Sequence, residues 1–301
     1  MRVLITGATG LVGKALVKKC LEQGIAVNYL TTRVSKIEGT AFYKGFLWNP
    51  ASNEIDINCF EGCDAIINLA GASVSKRWTP AYKQEILESR LDILETLKRG
   101  LEKVEDHTIK QLISASAIGF YPDSETAYYK EDHDTAGTSF LAQVTEKWEA
   151  AIDSLLPLGV QITKVRIGIV LAEEGGALQK MVPPIKYLVG APFGSGNQWQ
   201  SWIHIDDLTD MLLFLIHKEI TGIFNAVAPN PVTNMKMVKA IGKQLGVPVF
   251  LPNIPRFVMR LVLGEMHTLV FMSQRVSSKK IESLGFHFEY VNLEKALSNL
   301  L

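Results

Sequence analysis

The sequence predicts an α/β fold in which helices cover both faces of a doubly wound parallel sheet. Three observations predict it. Short apolar runs of strand length alternate with longer helical patterns. The strand runs are apolar at consecutive rather than alternate positions, as strands buried on both faces are. The chain has 301 residues, 47% of them hydrophobic, ample for one large core with a smaller appendage.

Taken in order, Val3–Thr6 is a strand, Leu16–Gln23 a helix and Val27–Thr31 the second strand. Ala65–Leu69 follows as a strand, then a helical Pro80–Lys98, the strand Gln111–Ser116, a helical Phe140–Leu155 and the strand Gln161–Val165. Past about residue 170 the rhythm changes. Gly and Pro crowd into Gly175-Gly176, Pro183-Pro184 and the stretch Gly190–Gln198, and loops of this composition often carry sites. A boundary falls at Ala228–Asn234, where Thr233 or Asn234 can cap the next helix. The division is thus residues 1–228, which include a substrate loop over 172–204, and a smaller, mostly helical cap over 229–301. The tail from Pro248 predicts two helices and an isolated strand at Phe286–Tyr290.

Composition excludes several classes of function. Lysine and arginine total 31 against 31 aspartate and glutamate, so no net field recruits nucleic acid or an anionic membrane. No apolar stretch reaches the roughly twenty residues needed to span a bilayer, and the start, MRVLITGATG, reads as a strand entering a loop rather than a signal peptide. Three sparse cysteines fit a reducing, cytoplasmic setting. Cys59 and Cys63 lack a second ligand pair at zinc spacing, so no metal is expected. Arg256–Leu263 reads as a packing face, not a membrane anchor.

The segment Gly7-Ala8-Thr9-Gly10-Leu11-Val12-Gly13 lies between the first strand and the first helix. A diphosphate needs bare backbone amides and a helix N-terminus at that place, and the glycines allow a tight turn and close helix approach. This is the dinucleotide loop of a Rossmann-type sheet. Where an NAD enzyme places an acid for the ribose hydroxyls, at the end of the second strand, this chain has Thr31, Thr32 and Arg33. Hydroxyls and a guanidinium suit a 2′-phosphate, so NADP(H) is expected in preference to NAD(H), which stays possible. Arg33 can also be read as an ordinary surface arginine.

The spacing GxxGxxG resembles that of short-chain dehydrogenases and their extended, epimerase-like relatives. Asn68-Leu69-Ala70-Gly71 resembles the motif that lies beside the cofactor's adenosine, and LISASAIGFY at Leu112 resembles the strand carrying the active-site serine, here Ser116. A typical member has a tyrosine about twenty-five residues farther on and a lysine four beyond it; counting from Ser116 reaches Leu141 and Thr145. No Tyr-x-x-x-Lys occurs anywhere. That absence, with SKRWTP at Ser75, ESR at Glu88, Lys147-Trp148-Glu149, RIGIVL at Arg166, GGAL at Gly175, GSGNQWQSWIHIDDL at Gly194, APNPVTN at Ala228, LGEM at Leu263 and SQRV at Ser273, identifies a member of an atypical branch. It comprises NAD-dependent epimerase-like oxidoreductases that end in a domain of unknown function, and the resemblance runs from Met1 to Leu301.

The resemblance implies that Glu85, Arg90 and Val165 lie near the cofactor. Without it, Arg90 and Glu85 read as solvated helix residues. Ser116 would orient a substrate oxygen, with Tyr121 or a water held by Ser116 as proton donor. Gln198, Trp199 and Trp202 can wall a ring-shaped ligand. The alternative buries both tryptophans beneath the C-terminal helices, and His204 reads as a core histidine. The expected function is NADP(H)-dependent oxidoreductase or epimerase chemistry on a small, sugar-nucleotide-like or other substrate. The rival is a catalytically lapsed NADP(H)-binding sensor or scaffold.

Overall fold

The computed structural model describes all 301 residues. Its centre is an eight-stranded sheet: β1 (Arg2–Thr6), β2 (Ala26–Thr31), β3 (Tyr43–Asn49), β4 (Glu54–Ile55), β5 (Ala65–Asn68), β6 (Gln111–Ala117), β7 (Gln161–Ile167) and β8 (Gly222–Ala226). The spatial order is β8-β7-β6-β5-β1-β2-β3-β4, parallel except for β4, which runs against β3. The chain moves outward from β1 to β4, then returns to place β5 against the other side of β1. Strand order reverses between β1 and β5, and ligands of open α/β sheets bind beyond the carboxyl ends of the strands at such a reversal. Thr6 ties the two ends together, its hydroxyl donating to Asn68 Oδ1 at 2.6 Å and accepting from the amides of Leu69 and Ala70 at 3.1 Å.

Helices α1 (Leu11–Glu22) and α5 (Ile205–His217) cover one face through Leu16, Cys20, Leu208 and Leu212. Helices α2 (Pro80–Leu101) and α3 (Phe140–Asp153) cover the other through Leu94, Leu97, Trp148 and Ile152. Each of these last two has a built start. Thr79 Oγ1 accepts from the Tyr82 amide ahead of Pro80, and Ser139 Oγ accepts from the Ala142 amide, caps worth about 1 kcal/mol each.

The remaining helices are α4 (Leu178–Lys186), α6 (Asn234–Gln244), α7 (Arg256–Leu263), α8 (His267–Phe271), α9 (Lys279–Ser283) and α10 (Leu293–Leu300). Thr233 caps α6, accepting from the Lys236 amide. A third core joins Leu171, Leu178, Ile185 and Trp202 to Met237, Ile241, Tyr290 and Leu297, so the segment after β7 and the last seventy residues pack together. No helix is long and apolar enough to cross a membrane.

Three tail expectations are corrected, the first being number: four helices, α7 to α10, follow Pro248 where two were expected. Phe286–Tyr290 is not a strand: it has no strand partner, and the amides of Glu289 and Tyr290 donate instead to the Asp207 carboxylate at 2.8 and 3.0 Å. Helix α7 does not bury its apolar stripe, since Phe257, Leu261 and Val262 all stay exposed.

Candidate active site

At the carboxyl end of β1 the site is made of backbone. Gly7 has φ +71°, and a Cβ there would lie 2.9 Å from Ala70 N and from the Leu69 carbonyl carbon; a Cβ on Gly13 would come within 2.1 Å of Gly7 O. Only glycine allows β1, the loop and α1 to approach β5 this closely. Helix α1 starts after Gly10 with no side-chain cap, which leaves its first amides free for an anion beside Thr9, Leu11 and Val12. A cleft of about 550 Å³ runs along this start, bounded by Thr9, Gly10, Leu11, Lys14, Glu174 and Asn299. A diphosphate fits the glycine cradle and the uncapped helix end. At the end of β2, Thr31 is buried with its hydroxyl accepting from the Arg33 amide, while Thr32 and Arg33 are exposed.

Gly71 follows β5, and a Cβ there would meet the Arg90 guanidinium carbon at 3.4 Å. Arg90 donates from Nη1 to Ile86 O at 2.7 Å and to Ala72 O at 3.3 Å, and its guanidinium lies 4.8 Å from the centre of the Trp148 ring. Burial without a carboxylate partner pushes its pKa down to about 10.

Beyond β6 the site is made of side chains. A cavity of about 310 Å³ is lined by Ser116, Arg90, Trp148, Ile167, Ile169 and Trp199, among others, with Leu269, Met272 and Gln274 of the tail closing one side. Ser116 Oγ donates to Glu149 Oε1 at 2.6 Å. Arg166 then grips the carboxylate, Nε to Oε1 at 2.8 Å and Nη2 to Oε2 at 2.9 Å. Arg166 pairs in register with Ser116 across β6 and β7, is 2% exposed, and stacks 3.7 Å from the Phe120 ring centre. Burial alone would lower its pKa, but Glu149 outweighs that and raises it. The cavity face of α3 presents Leu141, Val144, Thr145 and Trp148 at helical spacing, so Leu141 and Thr145 stand where the sequence count put the tyrosine and lysine.

Of the residues expected from sequence, Ser116, Arg90 and Trp199 meet at one cavity. Tyr121 does not join them: it is fully buried, its hydroxyl donates to Asn225 Oδ1 at 2.7 Å, and burial raises its pKa, so it is no proton donor to the cavity. Trp202 is also fully buried, in the third core, with Nε1 donating to Asn230 O, and Gln198 donates to Phe193 O instead of facing a ligand. Val165 lies mid-strand with its side chain in the sheet core; Ile167, Gly168 and Ile169 are the part of that segment that reaches the cavity. Glu85 is exposed on α2 and lines neither cleft. His204 is a core residue, stacked 3.7 Å from the Tyr290 ring centre. Glu149 and Arg166 lie inside sequence motifs, but the sequence alone assigns them no role. The signal was there: an acid one turn past Thr145 on α3, and an arginine ending a strand that had to neighbour the serine strand.

Residues 3–145 match the NAD dependent epimerase/dehydratase family, and residues 254–300 match a domain of unknown function, DUF1731. The epimerase family protein SAR0825 of Staphylococcus aureus is 38% identical over 302 residues, covering 99% of this chain and 98% of that protein. The chloroplastic SDR39U1 homolog of Arabidopsis thaliana, also an epimerase family protein, is 35% identical, covering 100% of this chain and 87% of its own length. The crystal structure of human epimerase family protein SDR39U1 with NADPH superposes with a TM-score of 0.86 at 29% identity, covering 100% of this chain and 99% of that one. The UDP-glucose 4-epimerase of Thermus thermophilus in complex with NAD, 15% identical with a TM-score of 0.75 over 99% of this chain and 97% of that one, shares the fold.

Proposed function

The chain belongs to the NAD-dependent epimerase family, in the branch that ends in DUF1731, and from that premise we propose that it is an NADP(H)-dependent oxidoreductase or epimerase of small hydroxyl or carbonyl compounds. The observation that carries this reading is the placement of a hydrogen-bonded serine, Ser116, in a largely apolar cavity on the same sheet edge as the glycine cradle. The dinucleotide would lie with its diphosphate on Gly7–Gly13 and its adenosine beside Leu69–Gly71, and would supply hydride chemistry. Arg33 and Thr32, exposed at the end of β2 with no acid between them, suit a 2′-phosphate, in keeping with the human relative solved with NADPH. Residues 1–228 would form the nucleotide domain and 229–301 a cap, whose Leu269 and Met272 close the cavity over a substrate.

A specific observation favours a second reading. Leu141 and Thr145 cannot perform the acid–base work of a tyrosine and a lysine, which fits a module that binds NADP(H) as a sensor or scaffold. One experiment separates the two. NADPH absorbance is followed with a broad panel of ketones and aldehydes, and its appearance from NADP+ with a matching panel of alcohols, for the wild type and Ser116→Ala. Turnover of any member that drops at least about tenfold in Ser116→Ala supports the enzyme. Silence across both panels with NADPH still bound supports the module.

A further inference from the structure

We propose that Ser116 meets its ligand only as a hydrogen-bond acceptor, fixed in that polarity by Glu149, so that the cavity selects a hydroxyl-bearing ligand over the matching carbonyl or ether. The proposal rests on reading the cavity as the substrate site.

A serine hydroxyl has one proton and two lone pairs, and in an open pocket it rotates to serve either kind of partner. Here the rotation is spent. The Oγ to Oε1 distance of 2.6 Å is that of a hydroxyl donating to a carboxylate, and Glu149 has no proton to return, because Arg166 occupies both its oxygens. Turning the Ser116 proton toward a ligand carbonyl would break a charge-assisted bond in a site where Glu149 and Arg166 are almost wholly buried. Arg166 in turn has no freedom to release the acid, held as it is by its strand register with Ser116 and its stacking on Phe120.

Two other side chains of the wall offer acceptors. Thr145 also lines the cavity, and its hydroxyl donates to Leu141 O at 2.8 Å, leaving only lone pairs. Gln200, another lining residue, has a buried Oε1 with no hydrogen-bond partner. The Trp199 indole N–H is committed to Glu125 O. Three acceptors thus border an apolar space whose lining also includes the donor Arg90, and at Ser116 itself a ligand must bring a donor. Its chemical class is a compact apolar body carrying one or more hydroxyls. Glu149 is a positioning residue, because it acts on the ligand through Ser116.

The test uses the full chain saturated with NADPH and two probes of similar size that are not reduced: phenol, which donates, and anisole, which only accepts. Affinities are read from shifts of the Trp199 indole signal in two-dimensional NMR. The wild type is expected to bind phenol at least about tenfold more tightly than anisole, the discrimination of one hydrogen bond to a charge-linked acceptor. Ser116→Ala should bring the ratio to within about threefold, and so should Glu149→Gln combined with Arg166→Met, in which the amide can donate to Ser116 and free its proton. Equal affinities in the wild type, or a tenfold ratio that survives Ser116→Ala, overturn the fixed polarity while leaving the cavity a ligand site. A ratio lost in Ser116→Ala but kept in the double variant overturns the role of Glu149. No shift of Trp199 with either probe overturns the cavity reading and the proposal together. Should the double variant fail to fold, the wild type and Ser116→Ala still decide the polarity of the serine.

Discussion

The two ends of the crevice are built of different materials at the same sheet edge. Between β1 and β5 the wall is backbone: glycines at 7 and 13, free amides at the start of α1, and Thr6 stitching the strand ends. Beyond β6 it is side chain: Ser116, Glu149 and Arg166, drawn from two strands and a helix. A site of backbone needs contiguous residues of fixed type, because each position is set by local φ and by clearance for a Cβ. One made of side chains needs only that a proton, a carboxylate and a guanidinium meet, and any elements that converge can supply them. The first tolerates almost no substitution, whereas the second tolerates exchange of parts, which is how Leu141 and Thr145 can occupy the tyrosine and lysine positions in an intact fold.

The sharpest way to break the contrast is at Gly13. A Cβ would sit 2.1 Å from Gly7 O, so Gly13→Val should weaken NADPH binding by on the order of a thousandfold or more, measured by calorimetry on protein that still gives a cooperative melt. At Gly10 the nearest atom to a Cβ is Gly7 O at 3.2 Å, so Gly10→Ala should lose much less. Wild-type affinity in Gly13→Val would place the dinucleotide elsewhere.

The side-chain end should fail in a different way, through stability and with rescue. Arg166→Met strips the partner from a carboxylate that is almost fully buried and should cost about 3 kcal/mol in urea unfolding. Adding Glu149→Gln should recover much of that, because a buried pair replaced by neutral groups loses little. Additive losses in the double variant would show that the two side chains do not act as a unit.

The same contrast explains what the sequence disclosed. The glycine loop, Asn68–Gly71 and the serine strand were legible because each is a run of neighbours with one job, and the expected limits of β1, β2, β5 and β6 fall within one residue of those observed. Three sheet strands went unread, among them β4, which at two residues is too short to show any pattern. In β3 a glycine interrupts the pattern, since a Cβ at Gly45 would lie 2.6 Å from the Tyr29 ring, and β8 starts at a glycine and buries Asn225, whose amide and carbonyl serve Ser277 O and Tyr121. Ser116 and Glu149 are 33 positions apart, and Glu149 and Arg166 17, so no local pattern joins them. Tyr121, Trp202 and Gln198 misled for the converse reason: polar tips beside a glycine-rich stretch resemble ligand contacts, but each finds its partner inside the protein.

At the far edge of the backbone site, the proposed preference for NADPH rests on one exposed side chain and should change modestly. Arg33 follows β2 and forms no ion pair, so its guanidinium is free for a 2′-phosphate. Arg33→Ala should lower the preference for NADPH over NADH by about tenfold, with NADH affinity unchanged, in paired titrations. An equal drop for both cofactors would mean that the residue serves the loop and not the phosphate.

The smallest effect is expected at His204, which links α5 to the C-terminal helix and lies beside the cleft at the glycine loop. Its Nδ1 accepts from the Asp206 amide, its Nε2 meets Asn299 Oδ1 at 3.1 Å, and its ring stacks on Tyr290. Burial lowers its pKa below the ordinary imidazole value, against an opposing pull from Asp206. The unfolded chain therefore binds a proton more readily than the folded one. Stability tied to this ring is full above about pH 6.5, the unfolded value, and is lost as pH falls through the folded-state pKa. Unfolding free energies measured between pH 7.5 and 5 should slope downward on acidification, and His204→Gln, which keeps a side-chain acceptor but cannot titrate there, should flatten that part of the slope. Matching slopes would show that the ring is not protonated on unfolding in this range, or that Asp206 offsets the burial completely. Because the acceptor role at the Asp206 amide belongs to the neutral ring, protonation would first loosen the start of α5, so the amide of Asp206 should lose exchange protection at a higher pH than those of Leu208 and Leu212 in the core beneath it.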